Sequence, residues 1–188
     1  PTVGAYSTYI HDISVEGIGF FDDDPATHQN GAGPEESHGV AFNYCVRASV
    51  RNCHINDIGD EGINFGKCLS FEAINNTSEN TPSIGTFGAC ISVGDGCSDG
   101  VIMGNRLFGT STPGTQSTVT GQSGIGISLV DTNAIENIQV IGNTVEDFAN
   151  NGIQLNTAAA ANLNNISIIG NTIRNCDYGI QRIGSSGD

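Results

Sequence analysis

The sequence predicts an all-β chain, a right-handed single-stranded parallel β-helix of about six turns with three short strands per turn. Three observations predict it. First, residues 137–157 and 165–184 are copies of one another. Ile138-Gln-Val-Ile-Gly-Asn143-Thr-Val followed by Gly152-Ile-Gln returns as Ile166-Ser-Ile-Ile-Gly-Asn171-Thr-Ile followed by Gly179-Ile-Gln. The Asn recurs after 28 residues and the Gly after 27, and such a fixed period marks stacked repeats. Second, each unit sets two short β-branched runs on either side of one Asn, a residue that tolerates a sharp bend. Third, Ile, Val, Asn, Gly and Thr dominate, only 14% of residues are charged, there are 26 Gly and there is no Trp. That bias suits strands joined by bends rather than helices. A unit of three short strands cannot bury its own apolar face, but copies stacked ~4.8 Å apart pair every strand and enclose an interior.

Taken in order, the bend between the first two strands of each turn falls at Ile18, Cys53, Asn76, Asn105, Asn143 and Asn171. The third strand begins near Gly39, Gly62, Cys90, Gly126, Gly152 and Gly179. Aligned on those starts, Val40, Ile63, Ile91, Ile127, Ile153 and Ile180 point inward. Two residues on, Phe42, Phe65, Val93, Leu129 and Leu155 point inward too, until Arg182 breaks the column. Between them lies an outward row: Ala41, Asn64, Ser92, Ser128, Gln154 and Gln181. The longest connections, 22–37, 80–88 and 110–123, gather at one corner of the first four turns, where solenoid insertions build binding walls. Neither end shows a cap, and Pro1 opens the chain without a Met, which reads as a mature or excised piece holding one β-helix domain over 1–188.

At this point the sequence resembles the pectate-lyase-like superfamily of parallel β-helices. The resemblance rests on Asn137-Ile-Gln-Val-Ile-Gly-Asn-Thr-Val and Asn165-Ile-Ser-Ile-Ile-Gly-Asn-Thr-Ile, on the Gly-Ile-Gln that follows each, and on the stacked bend Asn. It speaks for the fold and is nearly silent on activity. Lyases and uronate epimerases of that superfamily remove a sugar C5 proton with a basic or aromatic group while a cation neutralises the carboxylate. The resemblance implies those parts for Tyr44 and Lys67. The Asp-Pro-His signature of alginate epimerases is absent, with Asp24-Pro-Ala-Thr-His28 only a gapped echo, and the paired Asp motifs of polygalacturonases are missing.

Net charge is −14 with six basic residues, which disfavours nucleic acid and anionic membranes as partners and favours cations. No apolar run reaches the ~18 residues of a membrane span. Ionisable groups concentrate in the first two turns. His38 and Glu61 become neighbours on adjacent turns, with Asp60 beside them. Crowded carboxylates raise one another's pKa, as a general acid requires, and a carboxylate pair can cleave a glycosidic bond. The competing readings are a solvated acidic loop or a Ca2+ site of hard oxygen ligands, for which Asp22, Asp23 and Asp24 are the candidates. Lys67 is the only Lys and stacks in a column with Tyr44, Asp95 and Asp131, so an ordinary ion pair with Asp95 competes with its catalytic role. The polar, uncharged outward row of Asn64, Ser92, Ser128 and Gln154 suits sugar hydroxyls, against the plainer reading of a solvated sheet face.

Six cysteines lean towards an oxidising compartment, hence a secreted protein. Cys45 and Cys68 share a column one turn apart, within reach of a disulfide, with Cys97 one residue off and competing. Cys53 and Cys176 are too far apart to pair. Cys53 and His54 are consecutive in a strand and face opposite ways, which argues against a nucleophile and base. The leading reading is an extracellular β-helix that binds an acidic or neutral polysaccharide and, as a further step, cleaves or epimerises it. The rival is a non-enzymatic solenoid that self-assembles end to end as a fibre, adhesin or tailspike component.

Overall fold

The computed structural model describes residues 9–21, 38–81, 88–94, 96–110, 112, 114–117, 122–129, 133–157 and 163–184. These residues form six turns of three strands and no helix. In chain order the turns are β1 (Ile10–Glu16), β2 (Gly19–Phe21) and β3 (Val40–Asn43); β4 (Cys45–Arg51), β5 (His54–Asn56) and β6 (Ile63–Gly66); and β7 (Glu72–Ile74), β8 (Thr77–Glu79) and β9 (Ala89–Val93). They continue as β10 (Ser98–Met103), β11 (Arg106–Phe108) and β12 (Ser123–Leu129); β13 (Ile135–Ile141), β14 (Thr144–Glu146) and β15 (Asn151–Thr157); and β16 (Leu163–Ile169), β17 (Thr172–Arg174) and β18 (Tyr178–Gly184). Every third strand joins the same sheet, giving three six-stranded sheets, and every pairing is parallel. The chain is a parallel β-helix.

The corners explain why this sequence turns where it does. Between the first and second sheets, Gly17, Asn52, Asn75, Gly104, Gly142 and Gly170 all take positive φ, between 53° and 67°. Asn and Gly reach that region at little cost. In four turns the residue that follows is an inward-pointing Asn: Asn76, Asn105, Asn143 and Asn171. Each amide lies over the next. Asn105 Nδ2 donates to the Ala73 carbonyl and to Asn143 Oδ1, both at 2.9 Å. Its Oδ1 accepts from the N–H of Asn76 at 2.9 Å and from Asn76 Nδ2 at 3.0 Å. Cys53 ends the ladder, its N–H donating to Asn76 Oδ1 at 3.0 Å.

The interior is filled by stacked aliphatic columns and a run of rings, with Phe65 stacked on Phe71 at 4.5 Å and Phe42 at 5.9 Å on its other side. The third sheet aligns Val40, Ile63, Ile91, Ile125, Ile153 and Ile180. The expected column held Ile127 in place of Ile125, so the fourth turn sits two residues away from its expected register. The corner decides this. A Cβ at Gly62 would meet the Cys90 carbonyl at 2.7 Å, and one at Gly124 would meet the Gly152 carbonyl at 2.9 Å and Val145 at 2.2 Å. Gly124 therefore takes the corner, not Gly126. A slip of two keeps each side chain on its face, so Ile125 and Ile127 are both buried. Ile180 keeps its register but is 54% exposed, because no turn lies over it; Phe21 in the first turn is 65% exposed.

The expected Cys45–Cys68 disulfide is absent, and all six cysteines are free. Cys45, Cys68 and Cys97 occupy one column, since Leu69 N–H donates to the Cys45 carbonyl and Ser98 N–H to the Cys68 carbonyl. Stacked parallel turns aim their Cβ bonds the same way rather than at each other, which a disulfide cannot use. The thiols turn to backbone instead: Cys68 Sγ donates to the Phe42 carbonyl at 3.2 Å and Cys97 Sγ to the Phe65 carbonyl at 3.3 Å. The disulfide argument for an oxidising compartment falls with the bond. Asp22, Asp23, Asp24, His28, Asp95 and Asp131 lie outside the described residues, as does the Leu129 side chain.

Candidate functional site

The outward face of the third sheet carries a groove of about 730 Å³. Its floor follows from the register. One outward row runs Ala41, Asn64, Ser92, Gly126, Gln154 and Gln181. The next pairs Asn43 with Gly66 and Ser128 with Asn156 and Ile183. Gly94 N–H donates to the Phe65 carbonyl at 2.8 Å, which sets Gly94 level with Gly66. Asn64, Ser92, Ser128 and Gln154 all line the groove, as expected, but Ser128 stands one position along from the row it was assigned to. Its place beside Gln154 is taken by Gly126, as the two-residue shift requires.

The floor is therefore amides and hydroxyls interrupted by Gly66, Gly94 and Gly126. A Cβ at Gly66 would meet Asn43 Oδ1 at 2.1 Å, so the Asn43 amide is laid across that glycine. At Gly94 the nearest atom to a Cβ is the Phe65 carbonyl oxygen at 3.6 Å, and the space above is open. The sequence reading missed Asn43, Asn156 and the three glycines. Outward glycines in consecutive turns are the signal that exposes such a floor, because a strand gives up packing at a Gly only where something approaches its backbone.

One edge of the groove holds the acidic cluster. Gly39 N–H donates to the Glu61 carbonyl at 3.1 Å and Val40 N–H to the Gly62 carbonyl at 2.9 Å, which places His38 directly against Glu61. His38 Nδ1 lies 2.8 Å from Glu61 Oε2, and the two side chains are 16% and 17% exposed. Asp60 completes the group: one donor atom from each of the three lies within 4.8 Å of the others. Glu61 itself lines the groove.

The opposite edge holds Tyr44 and Lys67. Lys67 Nζ donates to the Tyr44 hydroxyl at 3.1 Å and lies 5.2 Å from the centre of its ring. Tyr9 packs edge-on against Tyr44 at 5.9 Å. Tyr44 and Lys67 both hold positive φ, 57° and 52°. Other corner residues, among them Arg47, Ser70 and Asp99, hold the same conformation, so it belongs to the bends of the coil. Glu61 and Lys67 flank β6 and stand six residues apart, at most roughly 20 Å along the chain. The two expected catalytic groups therefore stand at opposite edges and cannot share one scissile bond.

The thiols take no part. Burial pushes Cys90 up to about 12, and Cys45 and Cys176 are raised for the same reason. Cys68 is raised by its hydrogen bond with Cys97 and by burial. Thiols held protonated are poor nucleophiles. Cys53 is buried while His54 lies out beside Glu79 at 3.7 Å, on opposite faces as the strand geometry requires. Compared with protein-family models, curated proteins and solved structures, the chain finds no match in any of the three.

Proposed function

We propose that the third sheet binds a polysaccharide lengthwise along its groove, in the manner of the pectate-lyase-like β-helices that the repeats resemble. The observation that carries the reading is the groove floor: neutral amides and hydroxyls from five successive turns, with Gly94 leaving room above the backbone and the exposed ring of Tyr44 at the border. Sugars offer rows of hydroxyls to amides and flat faces to aromatic rings. Lys67 adds one cation at the Tyr44 edge, which favours an acidic sugar there. The polymer reading also carries the expected secreted location.

Open terminal turns favoured the rival assembly reading. Further chain would cover those ends as readily as a second copy, whereas the groove is built by the interior turns. Calorimetric titration against neutral and acidic polysaccharides tests the proposal. Asn64→Ala with Gln154→Ala should weaken binding about tenfold, the worth of roughly 1.4 kcal/mol of lost hydrogen bonding. Gly94→Leu should block the floor and abolish it. If no polysaccharide binds, or both variants bind as the parent does, the reading is wrong. Glu61→Gln separates binder from enzyme: turnover that disappears while binding persists makes the acidic edge the reactive one.

A further inference from the structure

We infer that His38, Asp60 and Glu61 form a binding site for one divalent transition-metal ion at the edge of the groove. The inference goes beyond the sugar-binding reading and does not need it. The first ground is convergence. Residues from two turns, 22 positions apart from His38 to Asp60, bring an imidazole and two carboxylates within 4.8 Å of one another, and among the described residues no other group of three such donors does so. Ligands of one ion at ~2.0–2.2 Å from it stand at most about 4.4 Å apart, so small side-chain rotations close this set around a metal.

The second ground is Glu61 Oε2. It is buried against the His38 imidazole, whose Nδ1 lies at 2.8 Å. A carboxylate held away from water needs positive charge beside it, and a metal ion seated between the imidazole and the two carboxylates would supply it. The third ground is rigidity. Gly39 and Gly62 fix the backbone directly after His38 and Glu61, because a Cβ at either would meet the carbonyl of the next turn at 2.7 Å. A metal site needs its ligands held before the ion arrives.

The donor set selects the ion. Ca2+ takes six to eight oxygens, and an imidazole is not among its usual ligands. One nitrogen and two carboxylates suit Zn2+, Mn2+, Fe2+ or Co2+. Two carboxylates balance a 2+ charge, and a chain of net charge −14 draws cations to it. Three protein ligands leave positions open, as in catalytic rather than structural zinc sites. Because Glu61 lines the groove, those positions face it, where they would take water or a ligand oxygen.

The test uses the metal alone. Chelator-stripped protein is titrated with ZnCl2 and separately with CaCl2, without sugar. One Zn2+ per chain should bind, more than tenfold tighter than Ca2+. His38→Ala and Glu61→Gln should each weaken Zn2+ at least tenfold, with thermal unfolding confirming that both variants fold. The parent chain supplies a readout independent of folding in the variants: one equivalent of Co2+ should shift the ring protons of His38 ahead of those of the other three histidines. Absence of Zn2+ binding, equal affinity in both variants, or Co2+ shifts at another histidine first would each overturn the site.

Discussion

At the corner between the first and second sheets, Asn76, Asn105, Asn143 and Asn171 stand in a column; between the third and first sheets Cys45, Cys68 and Cys97 do the same. Both columns are buried apart from the half-buried Asn171 in the last turn, and both send side-chain donors to backbone carbonyls. The amide has a donor and an acceptor, so each Asn hands its oxygen to the turn before it and takes the oxygen of the turn after. The thiol is a weak donor and weaker acceptor. Cys68 N–H has only Cys97 Sγ, at 3.3 Å, where Asn76 N–H has a full carbonyl oxygen at 2.9 Å. The amide column therefore specifies which turn lies over which, while the thiol column mostly fills space. Removing one member of each should show the difference.

Asn105→Ala should have the larger effect. It strands the buried N–H of Asn76 and removes four hydrogen bonds from the ladder, one of them to the Ala73 carbonyl. At about 1 kcal/mol for each of the four bonds, one of which leaves a buried N–H unpaired, the loss should be on the order of 4 kcal/mol in urea unfolding, with the denaturant slope unchanged. A loss below about 1 kcal/mol would show that the ladder is incidental to stacking.

The same contrast separates what was legible in the sequence from what was not. An Asn at one position of successive repeats has few explanations, and the bends at Asn76, Asn105, Asn143 and Asn171 are where the residues put them. Gly39 and Gly62 likewise fix the register that sets His38 against Glu61. The fourth turn offers two equivalent phases, because Gly124-Ile-Gly126-Ile repeats every two residues; the Val145 side chain and the Gly152 carbonyl crowded against Gly124 distinguish them. Cysteines in a column read as a disulfide because spacing gives proximity and says nothing of where the sulfurs point. Glu61 and Lys67 flank one short strand, so their order in the sequence already sets them at opposite ends of β6.

Cys68→Ala probes the thiol column. It removes one buried sulfur and its contacts to the Phe42 and Gly66 carbonyls, which keep their ladder partners. A cost of about 2 kcal/mol is expected, from a small cavity and weak hydrogen bonds. A cost matching that of Asn105→Ala would make thiols as specifying as amides and remove the distinction between the corners.

The smallest effect sharpens the contrast through pH, since amides do not titrate and thiols do. Cys90 sits at the start of its strand with Sγ donating to the Thr81 carbonyl at 2.7 Å, and burial, opposed in part by Ser78, moves it from the ordinary 9 up to about 12. Its neutral form is the one the fold favours. The sign follows: the contribution is intact below pH 9, where the unfolded thiol is also protonated, and shrinks as pH rises from 9 towards 12, because only the unfolded chain ionises there. At pH 10 the stability should have fallen by about 1 kcal/mol on this account relative to pH 7. Cys90→Ala should remove that share of the alkaline loss while Asn105→Ala leaves it whole. Equal alkaline slopes in the parent and Cys90→Ala, measured by urea unfolding at both pH values, would mean that this thiol meets water before the chain unfolds.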